Sequence, residues 1–239
     1  MIAMINDVCR SIYEFHRQDI PVVGKIVWYP VGYLEQNPRI LDVERASPTD
    51  HNDARYEIVQ IGRGHYRDRG RLPVHGLNLG YTEELLIARS KKRPCIIVSV
   101  KNSEIHDFMK IPEIARRPHL WDNAVTLAPM YSIDAAIGTS SKSHGIPHVM
   151  IDRIKLFQYN QFMYLPAKCT SSGVDLKQDH VIRIDRLFSA LLSPVAVEFK
   201  QYKLSKESLN ILHEVIKEHS DGVSSEYLEV IRELAMQQY

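Results

Sequence analysis

Cysteine is scarce. The chain holds three (Cys9, Cys95, Cys169) in 239 residues, with no Cys-x-x-Cys spacing, which excludes a disulfide framework and a zinc knuckle and suits a reducing cytoplasm. Long apolar runs are missing too: the cleanest, Pro94 to Val98, falls far short of the ~20 residues a membrane helix needs. Asp7, Arg10, Glu14 and Arg17 leave no signal peptide in the first twenty residues, so no membrane partner is expected. Charge of one sign is also missing, since 30 Lys and Arg face 29 Asp and Glu for a net +1. The total hides an asymmetry: from Pro194 onward five basic residues face eight acidic ones, which is −3, and the remainder carries +4. No Gly-x-Ser-x-Gly, His-Glu-x-x-His or P-loop occurs, so acyl transfer, zinc hydrolysis and nucleoside-triphosphate hydrolysis lose their usual markers.

What is present is an ordinary globular composition, 44% hydrophobic and 25% charged. Ile2, Ile5, Val8, Ile12 and Phe15 recur at helical steps, predicting an N-terminal helix within 1–20. Gly24 to Pro30, Pro94 to Val100 and Ala124 to Pro129 are rich in β-branched and apolar residues and predict strands. Val149 to Ile154, Phe162 to Leu165 and His180 to Ile184 are shorter strand candidates. Between the first two firm strands, 31–88 mix turn formers and charge around one strand-like island, Tyr56 to Ile61. A stretch that long reads as an inserted functional loop. Residues 133–148 are small and polar and read as a flexible loop. Two amphipathic helices follow, capped by Ser205 and by Ser224 or Ser225. The expected fold is mainly β with helices (α+β), a small β-barrel over 21–193 with 31–88 inserted, followed by a helical extension over 194–239. Spacers without helices disfavour a parallel doubly wound sheet.

Chemistry-bearing residues form three groups. Arg89, Lys91, Lys92 and Arg93 precede a strand, with Arg93 fixed by Pro94; a guanidinium fork there suits phosphate, although such a run is also an ordinary solvated face. Arg63, His65, Arg67, Arg69 and Arg71 interleave with Tyr66, a pattern that suits single-stranded nucleic acid or an exposed loop. Lys177 and Asp179 fall on one face of a strand and pair a cation with a carboxylate, as acid–base work on a phosphodiester requires; taken alone this is equally a surface ion pair. His144 and His148 flank Pro147, which breaks the helix that would align two ligands, so no metal site and no cofactor are expected.

Together these segments resemble the PemK/MazF family of type II toxins. The carriers are Gly24-Lys-Ile-Val-Trp28, Lys92-Arg93-Pro94-Cys-Ile-Ile-Val98-Ser99, Pro129-Met-Tyr131-Ser132, and Asp179-His-Val-Ile-Arg-Ile-Asp185-Arg-Leu187. The resemblance spans about 24–32, 89–132 and 149–219, and the Lys-Arg-Pro strand is its most specific part. It implies an SH3-like, CcdB-like barrel, a homodimer, a cytoplasmic location, a small antitoxin partner and metal-independent cleavage of single-stranded RNA by a ribose 2′-hydroxyl. By that likeness the catalytic candidates are Arg93, Asp179, Ser132 and Tyr131. Arg93 stabilises phosphate, Asp179 is the acid–base partner, and Tyr131 stands where the family carries Thr. The RNA-binding candidates are Lys177, Lys92, Lys91, Arg89, Arg67 and Arg69. Two other readings share the barrel: an inactive RNA- or protein-binding module, and a CcdB-like inhibitor of DNA gyrase.

Overall fold

A computed structural model describes residues 9–33, 36–45, 47–50, 53–72, 74–80, 82–100, 111–112, 124–133, 146–169, 174–176, 178–192 and 197–237. The chain divides into two compact units, one made of Met1–Tyr29 and Lys92–Tyr239, the other of Pro30–Lys91. No helix among the described residues is long and apolar enough to cross a membrane.

The first unit is mostly β, a sheet curled into a half-barrel. Its strands are β1 (Tyr13–Phe15), β2 (Lys25–Gly32), β6 (Ser90–Val100), β7 (Ala124–Ser132), β8 (Phe162–Leu165), β11 (His180–Arg183), β12 (Phe188–Leu191) and β13 (Glu198–Leu204), ordered β1-β13-β2-β6-β7-β11-β8 with β12 also paired to β7. A two-residue pair, β9 (Lys168–Cys169) and β10 (Val174–Asp175), stands apart from this sheet. Alternation along the strands gives the sheet two apolar faces. On one, Ile96, Met130, Met163 and Ile182 pack with α2 (Lys206–Asp221) and α3 (Glu226–Gln237) through Ile211, Leu212, Leu228 and Ile231. On the other, Tyr131, Tyr164 and Val181 pack with Ile151 and Ile154 of α1 (His148–Lys155). Ser205 caps α2, its side chain accepting from the Ser208 amide, and Ser225 does the same for the Leu228 amide at the start of α3. Gly222 closes α2 at φ 71°, a left-handed conformation that glycine adopts without strain. Arg232 of α3 pairs with Glu218 of α2 at 2.6 Å.

The second unit carries β3 (Arg39–Arg45), β4 (Ala54–Gln60) and β5 (Leu85–Ile87) in the order β4-β3-β5. Its β3–β4 register runs without interruption from Arg39↔Gln60 to Arg45↔Ala54.

Three expectations change. The N-terminal helix does not appear among residues 9–20, where β1 instead adds to the edge of β13 through Tyr13↔Leu204; residues 1–8 lie outside the described residues. Ile12 and Tyr13 are adjacent and both fully buried, a demand the helical stripe does not meet. Val149 to Ile154 is helical rather than extended: Ile151 and Ile154 are buried, Val149 is open to solvent, and Pro147 at φ −58° starts the turn. The segment 31–88 carries its own three-stranded sheet rather than an irregular loop, because β3, absent from the expectation and anchored by buried Ile40 and Val43, takes β4 on one side and β5 on the other. Most of the polar loop within 133–148 lies outside the described residues.

Candidate nucleic-acid interface

The site begins with Arg93, half-buried in β6 just before Pro94. The β6–β7 register pairs Cys95 with Pro129, so two residues earlier Arg93 lies opposite Tyr131. The guanidinium carbon of Arg93 is 4.2 Å from the Tyr131 ring centroid, a cation–π contact on a ring that is itself buried. Across β7, Tyr131 pairs with Val181 of β11. Arg183 shares the face of Val181 by the two-residue period, and its guanidinium sits 5.4 Å from the same ring and 5.1 Å from Phe162. Arg186, in the 3-10 turn Ile184–Arg186 that ends β11, is 5.8 Å from it. Three guanidiniums therefore surround one tyrosine ring.

One carboxylate joins them. Arg183 Nε donates to Asp185 Oδ1 at 2.7 Å. Burial pulls the Asp185 carboxyl upward, but the Arg183 hydrogen bond and the charges of Arg183 and Arg186 outweigh it and hold the group below its ordinary value. The three guanidiniums bring positive charge to this face, and Asp185 offsets part of it.

Asp179 lies on the same sheet face, two residues before Val181, and its carbonyl accepts from the Ile133 amide. From strand spacing alone, the Cα positions of Arg93 and Asp179 are roughly 12 Å apart, with β7 between them. Both Asp179 carboxylate oxygens are already engaged. Oδ2 accepts from the Tyr164 hydroxyl at 2.5 Å and Oδ1 from the Ala167 amide at 2.7 Å. Burial first, then the tie to Asp179, pushes the Tyr164 hydroxyl well above its ordinary value, so it stays a donor. Asp179 thus anchors the end of β8.

The other sequence candidates divide. Ser132 follows Tyr131 directly, so alternation turns it to the opposite face, where it pairs in register with His180; it does not join the cluster. His180 is buried, its Nδ1 has no hydrogen-bond partner among the described residues, and burial lowers its pKa. Lys92 is exposed and reaches Glu198 at 3.4 Å. Arg89, Lys91, Arg67 and Arg69 belong to the second unit. There Arg89 lies 5.6 Å over the Tyr33 ring, Lys91 and Arg67 are exposed, and Arg69 is bound to Asp42 at 2.9 Å and Glu84 at 3.0 Å. Lys177 and His144 lie outside the described residues, and no cluster of three metal-ligating side chains occurs among the described residues. The sequence reading missed Arg183 and Arg186 as site residues; the signal was the two-residue alternation of Asp179, Val181 and Arg183.

Comparisons of the chain with family models, with curated proteins and with solved structures return no match.

Proposed function

We propose that this chain is a PemK/MazF-like endoribonuclease that cuts single-stranded RNA without a metal, restrained in the cytoplasm by a small antitoxin. The observation that carries the reading is the convergence of Arg93, Arg183 and Arg186 on Tyr131, on the sheet face that also presents Asp179. Arg93 is the residue that the family likeness marks on its own motif, and it is the guanidinium closest to the ring.

In the proposed reaction a ribose 2′-oxygen attacks the adjacent phosphorus, the P–O5′ bond breaks, and the products are a 2′,3′-cyclic phosphate and a 5′-hydroxyl. Charge builds on the non-bridging oxygens of the phosphorane, and preorganised guanidiniums stabilise that charge more than the ground state. Asp179 takes the 2′-hydroxyl proton through a lone pair left beside its two existing hydrogen bonds, the leaving 5′-oxygen takes a proton from a solvent water, and Asp179 returns its proton to the hydroxide so formed. Tyr131 replaces the hydroxyl of the family's Thr with an aromatic platform, which gathers the arginines on this face of the sheet rather than hydrogen-bonding the substrate.

A second reading, an RNA-binding module without cleavage, is favoured by the double engagement of the Asp179 carboxylate. One experiment separates the two. Purified protein is incubated with long single-stranded RNA in excess EDTA, and fragment ends are mapped. Cleavage with 5′-hydroxyl ends that Arg93→Ala removes supports the nuclease. Intact RNA together with a gel shift that weakens steeply with salt supports the binding module, and neither cleavage nor binding ends both.

A further inference from the structure

The inserted unit presents a sheet edge that the functional reading does not use. β4 is the terminal strand of the order β4-β3-β5, and five of its seven residues, Arg55, Tyr56, Glu57, Ile58 and Gln60, are exposed. Edge strands carry a row of unpaired backbone donors and acceptors, and proteins usually blunt them with lysine, proline, a bulge or a covering element. β4 reads Ala-Arg-Tyr-Glu-Ile-Val-Gln, with no lysine and no proline, and its pairing with β3 shows no bulge. It is regular, and on either side of the central Glu57 it exposes Tyr56 (58%) and Ile58 (52%) on one face.

We infer that β4 pairs antiparallel with β4 of a second copy of this chain, about a twofold axis through Tyr56, joining two three-stranded sheets into one of six strands. The argument is the charge order of the strand. An antiparallel pair centred on Tyr56 sets Arg55 opposite Glu57 of the partner, and, by symmetry, Glu57 opposite the partner's Arg55. Tyr56 meets its own copy, and Ala54 meets the partner's Ile58, which withdraws that side chain from water. Sliding the register by two residues moves the axis to Glu57, which then meets its own copy while Arg55 meets Val59, so both opposite-charge pairs are lost.

The surroundings within the unit support this pairing. Across β3, Glu57 lies beside Asp42 and Arg55 beside Glu44, so the acidic side chains outnumber the one arginine on that face of the hairpin. Asp42 is taken up by Arg69 and Arg71, whereas among the described residues neither Arg55 nor Glu57 has an ion-pair partner. An incoming arginine from a second copy supplies the charge that Glu57 lacks. The inference is independent of RNA cleavage, since its residues belong to the inserted unit and none of them is a member of the Tyr131 cluster.

Charge reversal tests it. Mass by light scattering of the full chain is expected to give at least twice the 27.6 kDa of one chain. Glu57→Arg places two arginines opposite each other and is expected to weaken the assembly about tenfold or more, halving the mass at moderate concentration. Arg55→Glu does the same with two carboxylates. The double variant Arg55→Glu/Glu57→Arg restores both pairs and the wild-type mass, and an equimolar mixture of the two single variants associates where each alone does not. Unchanged circular dichroism confirms that the singles fold. A wild-type chain that stays at 27.6 kDa at its highest soluble concentration, an assembly that Glu57→Arg leaves intact, or single variants that fail to associate on mixing would each overturn the proposal, whatever the outcome of the RNA assay.

Discussion

Two groups of arginines in this protein have opposite surroundings. In the inserted unit, Arg69 and Arg71 meet Asp42 and Glu84 in four contacts of 2.9 to 3.0 Å, and the Glu84 side chain is only 1% exposed. Two cations and two anions cancel, and the guanidinium donors are spent on carboxylates. In the half-barrel, Arg93, Arg183 and Arg186 surround the ring of Tyr131, with Asp185 as the one carboxylate paired to them among the described contacts. An aromatic face attracts a cation without consuming its N–H donors, so the contact with Tyr131, unlike the pairing of Arg69 and Arg71, does not itself neutralise these guanidiniums. The first group holds a fold together; the second is the one we propose to meet an anion.

The comparison breaks first at Arg93. Removing a preorganised donor to a phosphorane costs on the order of 100-fold or more in rate, so Arg93→Ala is expected to reduce cleavage by at least that factor while leaving the thermal midpoint within a few degrees. Retained cleavage would move the chemistry elsewhere. At Glu84 the expectation reverses. Glu84→Gln leaves Arg69 and Arg71 with one charge unpaired in a nearly closed site and is expected to destabilise the inserted unit by about 3 kcal/mol, with RNA binding unaffected. Denaturant unfolding read beside a gel shift decides this; a loss of RNA affinity with unchanged stability would mean that the two arginine groups are not different in kind.

How far the sequence reveals this difference depends on where the partners lie. Arg93 is legible because Pro94 and a strand fix it locally and its motif resembles a known one. The neutralisation of Arg69 is not legible, because Asp42 lies 27 residues before it and Glu84 lies 15 residues after it, and only the folded hairpin brings them together. Arg183 was readable in principle, two residues from Val181 on a recognised strand, yet it looks like any polar residue of a half-exposed strand until Tyr131 is placed beside it. The strands Pro94 to Val100 and Ala124 to Pro129 and both C-terminal helices follow their periodicity closely. β1 and α1 do not, since an edge needing a partner and a two-residue anchor, Ile151 and Ile154, override local pattern. Ser132 was lost to a rule already in hand: adjacent strand residues face opposite ways.

Tyr131 sharpens the contrast at a smaller scale. A cation–π contact contributes about 1 kcal/mol, so Tyr131→Leu keeps apolar volume, releases the three guanidiniums and is expected to lower RNA affinity about fivefold. Tyr131→Phe keeps the ring and is expected to bind as wild type. The pair of variants separates the ring from the hydroxyl. If Phe binds as weakly as Leu, the phenolic oxygen does the work, and the platform reading of Tyr131 fails.

The smallest effect is a pH dependence confined to the inserted unit. The hydrogen bond from Arg69 outweighs burial, with the charges of Arg69 and Arg71 acting in the same direction, and holds the Asp42 carboxyl below its ordinary 3.8. A carboxyl whose folded value is depressed contributes stability that is complete above the unfolded value and is lost as pH falls through the folded one. Amide exchange in β3 is therefore expected to stay slow, after correction for intrinsic rates, from neutral pH down to about 4, and to quicken below it. Asp42→Asn removes the titrating group, so β3 in that variant is expected to be less protected at neutral pH and to show little further change on acidification. Equal acid sensitivity in wild type and Asp42→Asn would show that some other carboxylate holds the hairpin, and the picture of Arg69 and Arg71 as spent on their own carboxylates would then fail at the one pair that distinguishes them most clearly from Arg93.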